Sequence, residues 1–582
     1  MQMKSTIEQS ESRRHDFRAR FWLRAFLAVG LLIWTLRPAF AAHHKIAPEL
    51  EGADPNASVD VIIQFNQAPT ENQHGKVYAK GGVLKTTFDV IKGAHYSVPV
   101  ESLEALADDP DVAYISPDRS VQAFLNYAAP AVNANIAWSY GWDGTGIGVA
   151  VIDSGVAFEN DLNQTKANKT RIIYLEAFDG GTSTTDQYGH GTHVAGAIAG
   201  NGISSTGSNF TKTFKGIAPN ANLISLRALD QNGVGTDSNT ISAIQRAVQL
   251  KTTYNIRVIN LSLGRPVFES SALDPLCQAV EAAWKSGIVV VVAAGNYGRN
   301  NSAGTNGYAT ITSPGDDPYV ITVGAMKTMG TPQRSDDLIA SYSSKGPTLI
   351  DHVVKPDIVA PGNRTISLYD QKGQLPITYP GNVVQTSYYM TSGTSKDSQG
   401  YYQLSGTSMA APVVSGATAL LLQAQPSLTP DQIKARLMKT AYKSFPSTSS
   451  ATDPTTGAVY VSQYDIFTIG AGYLDIGAAL ASSDVAQGTA RSPAAFFDSG
   501  SGNVYLISES SAVWGTSAVW GTSAVWGTSV FLNGTSAVWG TSAVWGTSTD
   551  SGFSAVWGTS AVWGTSTGDS SESVSIAIQG EN

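Results

Sequence analysis

Three short stretches carry side chains able to move protons or form an acyl bond. They are V-A-V-I-D-S-G around Asp153, H-G-T-H-V-A-G around His190 and G-T-S-M-A-A-P around Ser408. A serine hydroxyl is a weak nucleophile at neutral pH, so acyl transfer needs a base within reach and a third group that holds the base in one tautomer. Asp, His and Ser supply those types, in one of the chain orders known for such triads. Asn296, in V-V-V-A-A-G-N, adds a side-chain amide able to donate to a developing oxyanion. Taken singly, each has a plainer reading: a strand-end Asp or an Asn after Gly is a common turn former, and a Ser opening a helix is a common cap. All four at the edges of apolar runs, among glycines, favour the chemical reading.

The elements that must position them follow from the apolar pattern. The runs G-V-A-V-I-D at 148–153, L-I-S-L-R-A-L at 223–229, V-I-N-L-S-L at 258–263 and I-V-V-V-V-A-A at 288–294 alternate with helical patterns between Gly141 and about Leu480. This predicts an α/β fold, a mainly parallel sheet with helices on both faces. Ligands collect at the carboxyl ends of such strands, and Asp153, Ser262 and Asn296 stand at or near those ends. Ser408 opens a small-residue helix whose free N–H groups and dipole favour negative charge. Gly406 permits a tight entry, and Pro412 reads as early enough in that helix for its missing N–H to cost little. His193, one turn deeper than His190, suits the core better than the site.

Other segments differ in kind. Residues 1–42 combine Arg13, Arg14, Arg18, Arg20 and Arg24 with an apolar stretch through Leu36 and the small-x-small pattern Ala39-Phe40-Ala41, which reads as a secretory signal peptide. Residues 43–127 read as a small α+β unit, with strands at Ser58 to Phe65, Ala94 to Val98 and Val112 to Ile115, and a short helix at Glu101 to Ala107. Ala128-Ala129-Pro130 reads as a linker opening the main domain, 128–480. In 481–582 the segment A-V-W-G-T-S occurs seven times, with tryptophans 514, 520, 526, 539, 545, 557 and 563. A period of six is even, so an extended chain would turn every Trp to one side, which predicts a β-like or disordered repetitive tail. Charged residues make up 14% of the chain and the net charge is -9, against the concentrated basic surface that nucleic acid requires. With one cysteine, Cys277, no disulfide within the chain can form, and a buried thiol is expected. No Cys/His grouping has zinc-site spacing, and no metal ligand is assigned.

With D-S-G, H-G-T-H-V-A-G, S-L-G, A-A-G-N and G-T-S-M-A-A-P all present and in order, residues 128–480 resemble a secreted serine protease of the subtilisin (subtilase) family. I-A-P at 217–219, K-P-D-I-V-A-P-G at 355–362 and G-A-G-Y-L-D at 470–475 extend the resemblance. It implies a subtilisin-like fold and hydrolysis of polypeptide substrates without a catalytic cofactor. Asp153, His190 and Ser408 would be the triad, Asn296 would hold the oxyanion, and Ser262, Leu263 and Gly264 would pair with an extended substrate. Residues 43–127 resemble the family's inhibitory propeptide, removed between Ser120 and Ala129. The loop from Gly200 to Lys215 lacks the family's asparagine-rich calcium loop, although Asp161 would serve as one oxygen ligand of a structural calcium. The segment from Asn363 to Gln403 reads as a surface insertion close to the cleft. A competing reading makes the chain a cell-surface or glycan-binding adhesin whose tryptophan repeats carry the function and whose protease domain is vestigial.

Overall fold

The computed structural model describes residues 45–117 and 128–498, apart from 48, 49, 51, 52, 89–91, 165–168, 303, 454 and 455, and beyond these 503–507, 513, 514, 530–532, 535–537, 580 and 581. The expected signal peptide, residues 118–127 at the expected cleavage junction and nearly all of the repeats lie outside the described residues. The chain divides into two units, residues 1–122 and 123–582.

In the first unit, strands β1 (Ser58–Phe65), β2 (Val83–Phe88), β3 (Gly93–Pro99) and β4 (Val112–Pro117) form an antiparallel sheet in the order β2-β3-β1-β4. Alternation along β1 turns Val61, Ile63 and Phe65 inward. There they meet Tyr96, Val98 and Ile115, together with Val77 of helix α1 (Glu71–Tyr78) and Leu106 of helix α2 (Leu103–Ala107). Thr70 and Gln73 close a capping box at the start of α1.

The second unit begins where a linker was expected. Ala128–Ala131 is instead a short helix, and Ala129, Ala131 and Val132 enter the main core, because small apolar side chains allow close packing where a free linker would expose them. The main sheet is built from β5 (Gly148–Asp153), β6 (Ile172–Ala177), β7 (Asn222–Arg227), β8 (Ile256–Leu261), β9 (Val289–Ala293), β10 (Ile321–Lys327), β11 (Leu338–Ile339) and β12 (Ile358–Pro361). Its order is β11-β10-β9-β8-β5-β7-β6, with β12 beside β10, and only the β10–β11 pair is antiparallel. Every residue of β5 and β9 is buried, as covering on both faces requires. Helix α3 (His190–Ala199) packs with α6 (Thr407–Ala424), and α4 (Asp237–Tyr254) with α5 (Pro275–Lys285), giving the two covering layers. The chain runs outward from β5 in both directions, so a crevice opens beyond the carboxyl ends of β5 and β8.

The segment from Asn363 to Gln403 folds as a three-stranded antiparallel sheet, β13 (Thr365–Leu368), β15 (Asp397–Leu404) and β14 (Val383–Gln385) in that order. It packs on the loop from Gly200 to Lys215 through aromatic rings. Phe210 stacks on Tyr389, and Phe214 meets Tyr401 edge-on with centroids 4.6 Å apart. Thr211 N–H donates to the Tyr389 carbonyl at 2.9 Å. Cys277 is fully buried in α5, its thiol 3.3 Å from Asp316 Oδ1.

Candidate active site

Asp153 ends β5 with no solvent exposure. Its Oδ1 accepts from Ser154 N–H at 2.8 Å and lies 2.8 Å from His190 Nδ1. A carboxylate only accepts, so His190 carries its proton on Nδ1 and leaves Nε2 as the basic nitrogen. Burial works to lower the His190 pKa, but the charge and hydrogen bond of Asp153, with Asp186 beyond it, outweigh burial and raise it above the ordinary 6.5. His193 behaves oppositely: it is fully buried, with Nε2 at 3.0 Å from the Thr365 carbonyl, and burial together with the neighbouring His190 pushes its pKa down to about 3. It is a neutral core residue that ties α3 to β13.

Asp186 is a further contributor that the motifs did not reveal. Its Oδ1 accepts from Gly189 N–H at 2.7 Å and from Ser154 Oγ at 2.8 Å, and its Oδ2 accepts from Thr192 N–H at 2.7 Å. It therefore caps the amino end of α3, where a negative charge is favoured, and fixes the helix turn that presents His190. The signal available in sequence was an aspartate four residues before His190 in D-Q-Y-G-H.

Ser408 is the second residue of α6. Pro412 does not stand at the tolerated start of that helix, where its sequence position suggests it would. Pro412 lies inside the helix, beyond its first turn, so the Ser408 carbonyl loses the N–H four residues on. Ser262 Oγ supplies the missing donor at 2.8 Å, and the Ser408 hydroxyl donates in turn to the Ser262 carbonyl at 3.2 Å. Ser262 is itself held by Asn260 Nδ2 at 3.0 Å, and Asn260 Oδ1 accepts from Ser415 Oγ at 2.8 Å. The proline break is thus what links the nucleophile candidate to the end of β8.

Asn296 Oδ1 accepts from Thr407 N–H at 2.9 Å and from Thr407 Oγ1 at 3.1 Å. A backbone N–H can only donate, which fixes the orientation of the amide and leaves Nδ2 free to donate into the cleft. Gly406 has φ +140°, and a Cβ there would come within 3.1 Å of Asn296 Nδ2, so only glycine leaves this approach open.

His190, Asn296, Ser408, Ser262, Leu263 and Gly264 all border one cavity of about 440 Å³, and Asp153 lies behind His190. Ser262 is buried, Leu263 half-buried and Gly264 exposed, so the chain becomes accessible as it leaves β8. Tyr188, Leu375 and Leu404 form further parts of the wall. Leu375 N–H donates to the Tyr188 carbonyl at 2.9 Å, which brings the inserted segment beside His190. Both carboxylate oxygens of Asp161 are met by donors of the protein. Its Oδ1 accepts from Ser204 N–H at 2.8 Å and its Oδ2 from Tyr401 at 2.7 Å. No three His, Cys, Asp or Glu side chains gather for a metal among the described residues.

The subtilase family model (Peptidase S8) matches residues 144–458, which hold all of these side chains. The chain belongs to the subtilase family. It is 35% identical over 394 residues to the serine protease AprX of Bacillus subtilis (strain 168), covering 65% of this chain and 81% of that relative. Subtilisin DY of Bacillus licheniformis is 35% identical over 317 residues, 54% of this chain and 90% of its own length. Subtilisin E of Bacillus subtilis (strain 168) is 32% identical over 388 residues, 65% of this chain and 84% of its own. This subtilase is a serine peptidase with the subtilisin-like α/β fold.

Proposed function

We propose that the chain is an exported serine endopeptidase, made as a precursor that processes itself and hydrolysing peptide bonds through an acyl-enzyme. The observation that carries this reading is one cavity bordered by a Ser408 hydroxyl, a His190 ring locked by a buried carboxylate and an Asn296 amide of fixed orientation. In this mechanism an extended polypeptide pairs with Ser262 to Gly264. The Ser408 hydroxyl exchanges the Ser262 carbonyl for His190 Nε2, which takes the proton as Oγ attacks the scissile carbonyl. Asp153 stabilises the imidazolium so formed, and Asn296 Nδ2 with the Ser408 N–H receives the oxyanion. His190 then protonates the leaving amine, and water releases the acyl group by the same steps in reverse.

The arginine-bearing, apolar segment of 1–42 supports export, and the α+β unit ahead of the peptidase domain supports an inhibitory propeptide. The test is a fluorophosphonate label on the purified protein beside its Ser408→Ala variant. Labelling of the parent alone, with casein cleavage at neutral pH, is expected. An unlabelled, inactive parent would overturn the reading in favour of the adhesive one. Ser408→Ala should also accumulate the uncut precursor, and normal processing of that variant in isolation would remove self-cleavage.

A further inference from the structure

Beyond the repeats, the chain returns to the second unit at Gly580 and Glu581. Glu581 is 5% exposed, and its backbone and one carboxylate oxygen are hydrogen-bonded. Its Oε1 accepts from Arg299 Nη2 at 2.7 Å, from Ser341 N–H at 2.9 Å and from Ser341 Oγ. Its Oε2 makes no hydrogen bond but lies 3.1 Å from Lys327 Nζ, a coulombic pairing. The Asn363 amide grips the backbone in both directions: Glu581 N–H donates to Asn363 Oδ1 at 2.8 Å, and Asn363 Nδ2 donates to the Glu581 carbonyl at 2.8 Å. Gly580 has φ +62°, and a Cβ there would stand 2.4 Å from Ser405 Oγ, so the residue ahead of the glutamate has to be glycine.

The receiving side chains are built for a carboxylate. Arg299 and Lys327 are 7% and 4% exposed, and Arg299 is additionally oriented by Asp453 at 3.1 Å and by the Tyr460 ring. Two cations converging on one buried carboxylate favour the charged form strongly enough to outweigh its burial. On the near side of the repeats, the chain is pinned to the same unit. Ser492 N–H donates to the Pro318 carbonyl, Val354 N–H to the Pro493 carbonyl and Ala495 N–H to the His352 carbonyl, each at 2.8 Å.

We propose that Gly580–Glu581 is an intramolecular ligand of an anion socket formed by Arg299, Lys327, Ser341 and Asn363, so that the chain is tethered to the peptidase unit on both sides of the tryptophan repeats. The socket shares loops with the active-site cleft. Arg299 follows Asn296 by three residues, Ser344 Oγ accepts from Tyr297 N–H at 3.0 Å, and Ser405 Oγ, beside the nucleophile loop, accepts from Arg364 N–H at 2.9 Å. Seating the glutamate therefore braces the loop that carries the Asn296 amide.

The test uses the full chain in a Ser408→Ala background, and its readout is independent of peptidase activity. Cys277 is the chain's one cysteine and is buried. A maleimide dye on an Asn582→Cys variant consequently reports the far stem alone. High anisotropy is expected, falling to the value of a free peptide in Glu581→Lys and recovering in the charge-swapped pair Glu581→Lys with Lys327→Glu. Equal anisotropy in the parent and Glu581→Lys, with the dye docked in both, overturns the proposal. If the dye unseats the stem in the parent, unlabelled protein decides: Glu581→Lys lowers Tm by several degrees if the stem is docked, and an unchanged Tm overturns the proposal.

Discussion

Orientation, more than proximity, distinguishes the polar groups in the cleft. Asn296 is aimed by a backbone N–H that accepts no alternative, so replacing it should remove one oxyanion donor without disturbing His190. Loss of the corresponding amide in subtilisin itself costs about 10²–10³ in kcat, and that measured magnitude is carried over to Asn296→Leu, with KM little changed, as steady-state kinetics would read. His190 must be neutral to act as a base. Because Asp153 raises its pKa, the acid limb of kcat/KM should fall above pH 6.5. Asp153→Asn should move that limb downward and cut kcat by about 10⁴, as triad carboxylates do elsewhere. The sign for stability is opposite. The raised pKa contributes stability that is full below the unfolded value of about 6.5 and is lost as pH rises through the folded value, so stability declines across the window in which activity grows. The four residues stood out in the sequence because Asp153 ends an apolar strand, Asn296 follows one, and His190 and Ser408 open small-residue helices. Asp186 did not, since a capping role depends on which N–H groups the fold turns toward it.

At the scale of elements, the coupling of β8 to α6 depends on a helix that cannot complete its own bonding. Pro412 leaves the Ser408 carbonyl to Ser262, so Ser262→Ala should strand a half-buried acceptor and cost about 1 kcal/mol. Urea unfolding of that variant in a Ser408→Ala background measures it. The continuous valines of β9 and the apolar run of β5 announced themselves, because strands covered on both faces leave no polar alternation. The antiparallel sheet β13–β15–β14 did not. Its Tyr- and Ser-rich sequence has the composition of a surface loop, and it packs on rings supplied from Phe210 and Phe214, more than a hundred residues earlier. Ala128 to Ala131 misled in the other direction, as three alanines and a proline satisfy both a linker and a closely packed turn of helix.

The whole molecule adds a wall to the cleft that the shared motifs do not contain. Leu375 reaches the cavity from the inserted segment and is bonded to Tyr188 beside His190. Leu375→Ala should therefore shift the ratio of kcat/KM between peptides with small and large apolar side chains near the scissile bond by about tenfold, the worth of a few methylenes in an apolar pocket. Paired peptide substrates in competition would detect it, and an unchanged ratio would remove Leu375 from recognition. The same packing bears on how such an enzyme can be rebuilt. The loop from Gly200 to Lys215 and the segment from Asn363 to Gln403 bury one another's aromatic rings, with Phe210 on Tyr389 and Phe214 on Tyr401. Neither is a self-contained graft. A chimera receiving only one would display unmatched rings to water, whereas the two moved together form a transplantable cassette that would carry this cleft wall into another scaffold of the family.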